Sequence, residues 1–211
     1  GDDIAASALT PSGKDAKTLL DEAEAKVFEI AEAGARTVSG FVPIQPILGQ
    51  VVDRIQELYD RDSPDGSTGV ATGLADLDDK TSGLQPSDMI VLAARPGMGK
   101  TSLALNIAEN AALGARGQPP KPVAVFSLEM SAESLVRRMV CCHAGVPAQN
   151  LSTGNVGKEE HGLLMGAMDA LAKAPIYVDD TAGLEAMDLR ARARRLKRKY
   201  GVELIVVDYL Q

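Results

Sequence analysis

The chain has 211 residues, 45% apolar and 24% charged, with 22 basic against 29 acidic residues and a net charge of −7. That is room for one domain of about 150 residues plus an appendage, with the usage of a soluble globular chain, which excludes wholesale disorder, collagen and a disulfide scaffold. The acidic balance and 3% aromatic content argue against a DNA-coating surface or a base-stacking platform.

No apolar run approaches the roughly 18 residues of a bilayer span, and the acidic start lacks the basic-then-apolar order of a signal peptide. Cys141 and Cys142 are adjacent and offer neither a bridge framework nor zinc-ligand spacing. A reducing, cytoplasmic setting without membrane contact is therefore expected. The chain starts without Met and stops at Gln211 just after an apolar run, which reads as a fragment.

Residues 1–14 are small and polar and are expected to fray. From 15 to 33, Leu19, Leu20, Ala23, Val27 and Ile30 recur at helical spacing, with Ser12 and Asp15 placed as a capping pair and Gly34 as a stop. A second helix is expected over 44–59, where Ile44, Ile47, Leu48, Val51, Ile55 and Leu58 form one stripe and Pro46 falls in the tolerated first turn. Residues 60–73 read as linker or exposed loop.

Beyond that point short apolar runs alternate with helical ones. Strands are expected at 89–94, 122–128, 176–179 and 204–209, and helices at 101–113, 132–142, 159–172 and 188–200, with loops at 116–121 and 145–157. Val-Ala-Val-Phe and Leu-Ile-Val-Val are continuously apolar, which signals burial on both faces and a parallel α/β sheet covered by helices.

The sharpest motif is Ala94-Arg-Pro-Gly-Met-Gly-Lys-Thr-Ser102, between an apolar run and a helix. That is the setting of a phosphate-binding loop. Gly97 and Gly99 allow a tight turn with inward amides, and the following helix adds its positive end. Arg95, Pro96, Gly97, Met98, Gly99, Lys100, Thr101 and Ser102 are thus candidate nucleotide ligands. Lys100 would neutralise the outer phosphates, and the Thr101 hydroxyl would complete a magnesium octahedron. The motif points to a nucleoside triphosphate and leaves the base open.

Leu204-Ile-Val-Val-Asp208 delivers a carboxylate at a strand's C-terminal end, on the rim where parallel sheets bind ligands, which makes Asp208 a candidate magnesium partner. Glu129 ends another strand and could orient and deprotonate the attacking water. It could equally be a favourable acid before a helix capped by Ser131. Asp179 and Asp180 are rivals for either acidic role, or simply the start of a turn through Thr181 and Gly183. Arg190, Arg192, Arg194, Arg195, Lys197, Arg198 and Lys199 crowd one helix, with Leu189, Ala193, Leu196 and Tyr200 as its apolar stripe. The cations read first as a solvated outer face, and second as a contact for phosphate backbone or an acidic neighbour. His143 and His161 have no partner at metal spacing and read as structural.

Thr72-Gly-Leu-Ala-Asp-Leu-Asp, Ser82-Gly-Leu-Gln-Pro-Ser-Asp-Met-Ile-Val and the phosphate loop together resemble the replicative DNA helicases of the DnaB type. Phe126-Ser-Leu-Glu-Met-Ser, Ile176-Tyr-Val-Asp-Asp-Thr, Arg192-Ala-Arg-Arg-Leu and the closing Val-Val-Asp-Tyr-Leu-Gln extend the likeness. Leu19-Leu-Asp-Glu-Ala-Glu and Val27-Phe-Glu-Ile-Ala-Glu carry it upstream, so it covers nearly everything from about residue 9 onward.

The resemblance implies a RecA-like P-loop motor domain over 69–211, incomplete after the Asp208 strand, preceded by a helical linker region at 15–68. It implies ATP and Mg²⁺ as ligands, Lys100 and Thr101 on phosphates and metal, Glu129 activating water and Asp208 supporting the metal. It further implies a homo-hexamer around single-stranded DNA at the replication fork. Primase and the helicase loader would be met through an amino-terminal domain absent here, as are the DNA-binding loops and arginine finger. The fragment alone is expected to be inactive. The rivals are another RecA-like ATPase, of recombinase or clock type, and a non-catalytic ring-docking fragment.

Overall fold

A computed structural model of the chain describes residues 43–59 and 68–209, together with the helical positions Leu19, Ala23 and Lys26. Beyond those three positions, the expected helix over 15–33, its Ser12–Asp15 cap and the frayed start lie outside the described residues. The chain divides into two units, Gly1–Arg61 and Asp62–Gln211. In the first, α1 spans Ile44–Tyr59 with Pro46 in its opening turn, as the periodicity predicts. Its stripe residues Ile44, Ile47, Leu48, Val51 and Ile55 are all exposed.

The second unit opens with an antiparallel bridge between Val70 and Leu84. Between the bridge partners lies α2 (Ala75–Thr81), a helix too short for periodicity to reveal. A buried carboxylate holds it in place. Asp78 accepts from the Thr72 backbone N–H (2.9 Å), the Thr72 hydroxyl (2.7 Å) and the Gly73 N–H (3.0 Å). The Asn110 side-chain amide donates to the Thr72 carbonyl at 2.8 Å. Only glycine fits at 73: its φ is +81°, and a Cβ there would lie 2.3 Å from Asn110 Nδ2.

Residues 89–94 depart from expectation. They form no strand, and Met89 and Val91 are 86% and 76% exposed. A strand exists only through a neighbour's hydrogen bonds, and among the described residues none pairs with this segment. Helix α3 (Lys100–Leu113) follows and closes at Gly114.

Three parallel strands, β1 (Val123–Ser127), β2 (Ile176–Asp179) and β3 (Leu204–Asp208), form a sheet in the order β2-β1-β3. The connections carry α4 (Ala132–Ala144), α5 (Ala148–Thr153), α6 (Lys158–Leu171) and α7 (Ala186–Tyr200). Helix α5 falls where a loop was expected; Pro147 and Gly154 fence one and a half turns, and Leu151 packs on the Val146–Leu164 cluster.

Side chains alternate along β1 as the pleat requires. Val123 and Val125 pack with Leu105, Ala108, Leu135 and Met139 on one face, and Ala124 and Phe126 with Ala193 and Val202 on the other. Every β1 residue is buried. The continuous apolar run in β3 does not signal the same burial, because among the described residues β3 is an edge strand and Ile205 is 45% exposed.

Candidate functional site

The segment predicted as a phosphate loop forms a turn into α3. Gly97 and Gly99 take φ of +78° and +86°, the left-handed conformations that require glycine. The Met98 N–H donates to the Arg95 carbonyl at 3.2 Å, and the first intrahelical bond is Leu103 N–H to Gly99 O at 2.9 Å. The amides of Lys100, Thr101 and Ser102 therefore have no acceptor a turn earlier, at the positive end of the helix. Arg95, Pro96, Gly97, Met98 and Gly99 are exposed, as is Ser102, while Lys100 and Thr101 are half-buried. A Cβ added at Gly97 or Gly99 would meet nothing within 4 Å, so the turn borders open space.

Parallel pairing sets Asp208 beside Ser127, so β1 and β3 end at one level. There the Asp208 carboxylate is held from both sides. Its Oδ1 lies 3.2 Å from Lys100 Nζ, and its Oδ2 accepts from the Thr101 hydroxyl at 2.7 Å. The Lys100 ammonium also lies 4.3 Å from the centre of the Tyr209 ring. The structure thus brings Asp208 to Lys100 and Thr101, more than a hundred residues away in sequence. Tyr209 escaped the sequence reading, since only proximity to Lys100 gives it a role.

Glu129 stands just past β1, exposed, in a turn where the Ser127 hydroxyl donates to the Met130 carbonyl and accepts from the Met130 N–H. No hydrogen bond or ion pair joins it to Lys100, Thr101 or Asp208 among the described residues. Its rivals are engaged. Asp180 accepts from the Ala132 N–H at 2.8 Å and so caps α4 together with Ser131, whose hydroxyl accepts from Ser134 N–H. Asp179 accepts from the Thr181 hydroxyl at 2.6 Å and from Arg192 Nη1 at 2.7 Å. Burial pushes the Asp179 carboxyl up, but the Thr181 and Arg192 hydrogen bonds outweigh it and hold the group below the usual carboxylate range.

Arg192 is accordingly paired while still partly exposed, and Arg190, Arg194, Arg195, Lys197, Arg198 and Lys199 are exposed. The stripe on α7 faces the sheet: Ala193 is buried and Tyr200 stacks on Tyr177 at 4.3 Å. A cavity of about 560 Å³ lies beside it, lined by Phe126, Tyr177, Asp179, Arg192 and Tyr200 and by no residue of the phosphate loop. His143 is structural: its Nδ1 lies 2.7 Å from the buried Glu109. Burial, then the nearby Glu109, raises the pKa of the Cys142 thiol, leaving it a poor nucleophile. Among the described residues no three His, Cys, Asp or Glu side chains are grouped to hold a metal by themselves.

The loop suits a polyphosphate: unused helical amides, one ammonium and open space converge on it. The hydroxyl–carboxylate pair of Thr101 and Asp208 supplies the hard oxygen donors that magnesium takes when phosphates and water complete its shell.

Comparison with known proteins agrees with this geometry. Residues 69–211 match the family model of the DnaB-like helicase C terminal domain. The chain is 48% identical over 194 residues to the replicative DNA helicase DnaB of Geobacillus stearothermophilus, covering 92% of this chain and 41% of the relative. It is 44% identical over 212 residues to the replicative DNA helicase DnaB of Pasteurella multocida, covering 99% of this chain and 44% of the relative. It therefore spans less than half the length of these curated relatives. Among solved structures it is similar to the ATPase domain of G40P, with TM-score 0.69, 29% identity, and coverage of 81% of this chain and 58% of that one. It is also similar to a DnaB-like replicative helicase studied in its interactions with primase, with TM-score 0.64, 26% identity, and coverage of 92% and 49%. A RecA-like fold, the glycine-framed lysine loop and a family match over 143 of its positions leave one assignment: the chain belongs to the DnaB-like helicase family.

Proposed function

We propose that this chain contributes the nucleotide-handling part of a replicative DNA helicase, which couples ATP hydrolysis to unwinding of duplex DNA. The observation that carries the reading is the convergence of Lys100, Thr101 and Asp208 on one rim beside a turn whose helical amides are unspent. Arg95 to Ser102 would wrap the phosphates, with Lys100 neutralising the outer ones. Thr101 and Asp208 would hold Mg²⁺, whose charge would offset the negative charge on the phosphate oxygens. Glu129, exposed and without a partner among the described residues, would take a proton from the attacking water as it adds to the outer phosphoryl group, giving ADP and phosphate.

The linker reading of 15–68 and the motor reading of 69–211 belong to the same proposal. So do a homo-hexameric ring around single-stranded DNA, contacts with primase and a loader through other parts of the protein, and a cytoplasmic place at the fork. The relatives' names support a place in DNA replication, and the solved neighbour studied in its interactions with primase supports that contact. Among the described residues no helix is long and apolar enough to cross a membrane.

Lys100→Ala tests the site directly. Loss of a charge-assisted contact is expected to weaken ATP binding by about ten- to a hundredfold, read by equilibrium titration. Unchanged affinity would refute the loop assignment.

A further inference from the structure

We propose that Ser127 is a positioning residue for ATP hydrolysis, its hydroxyl fixing the turn that presents Glu129; this deepens the reading above and rests on Glu129 as general base. Ser127 ends β1, is 1% exposed and pairs in register with Asp208. Its hydroxyl is spent inside the turn, donating to the Met130 carbonyl at 2.7 Å and accepting from the Met130 N–H at 3.1 Å. On the other side of Glu129, the Leu128 N–H donates to the Asp208 carbonyl at 2.8 Å.

Glu129 is therefore bracketed. The residue before it is tied to the strand that carries Asp208, and the residue after it is tied at both backbone polar groups to one buried side chain. The Glu129 side chain is itself exposed, so the backbone beneath it sets where its carboxylate stands. A general base acts only within hydrogen-bond reach of the proton it takes, and a misplacement of about 1 Å costs about a hundredfold. Removing the Ser127 hydroxyl frees both Met130 groups and lets that backbone shift. The surroundings are anchored independently. The Met130 side chain packs on the cluster of Val123 and Val125, and α4 keeps its Ser131 cap and the Asp180 bond to the Ala132 N–H. Loss of the hydroxyl thus loosens Glu129 without unseating the sheet or the phosphate loop.

A double-mutant cycle on the full-length protein separates positioning from a general structural role. Single-turnover hydrolysis of radiolabelled ATP and equilibrium ATP binding are measured with magnesium for wild type, Ser127→Ala, Glu129→Gln and the double variant. Ser127→Ala is expected to slow hydrolysis about tenfold while ATP affinity stays within about twofold of wild type. In the Glu129→Gln background the same change should slow it by less than about twofold, because no base is left to misplace. Full activity of Ser127→Ala, an equal loss in both backgrounds, or a matching loss of ATP affinity overturns the proposal. Ser127→Cys, of similar volume but a weaker donor and acceptor, is the second arm, and it stands if Ser127→Ala proves misfolded by circular dichroism. It should slow hydrolysis about threefold, again only with Glu129 in place; full activity, or a loss independent of Glu129, overturns the positioning role. A Glu129→Gln variant that hydrolyses ATP at the wild-type rate would instead sink the general-base reading itself.

Discussion

Glu129 and Asp180 show how two carboxylates can serve unlike ends. Asp180 spends its carboxylate on the first amide of α4, whereas Glu129 keeps its own toward solvent. In the intact protein, Glu129→Gln is expected to leave ATP affinity within about twofold and to lower turnover by about a hundredfold or more, the size of a general-base contribution. Steady-state hydrolysis and binding measured on one preparation check both halves. Asp180→Asn should leave turnover intact; if it removes activity instead, the roles are reversed. The sequence could not separate these acids, because each ends a strand. What separates them is a contact made 48 residues away. Lys100, Thr101 and the two glycines were legible because the loop is local, with its geometry written in consecutive residues.

At the scale of elements, α7 is tied to β2 by Arg192, which donates to both Asp179 and the Thr181 hydroxyl. Because the Asp179 carboxyl is held below its usual range, its ionised form contributes to stability above about pH 4. That contribution disappears as the pH falls through the lowered folded value. Asp179→Asn should therefore cost about 1 kcal/mol near neutrality, allowing for solvent screening, and the gap to wild type should close toward pH 3. Thermal melts at the two pH values check the sign. Helix α4, helix α6 and the strands were readable to within a few residues from periodicity alone. Helices α2 and α5 were not, since seven and six residues are too few to show a period. The segment 89–94 has a strand's composition without a strand's partner, and composition cannot report who stands alongside.

Across the whole molecule, architecture followed from alternation of element types, while the distribution of burial within the sheet did not. Two runs equally apolar in sequence, β1 and β3, differ because one is central and the other is an edge. That asymmetry has a kinetic reading. Amide protons of Val123 to Ser127, flanked by strands on both sides and by apolar layers above and below, can reach solvent only when the sheet itself comes apart. Those of residues 89–92 lie open from the start. In heavy water the chain should label in that graded order, the 89–92 peptides within seconds and the β1 peptide last. Mass spectra taken over hours would then time how rarely the central strand is laid bare.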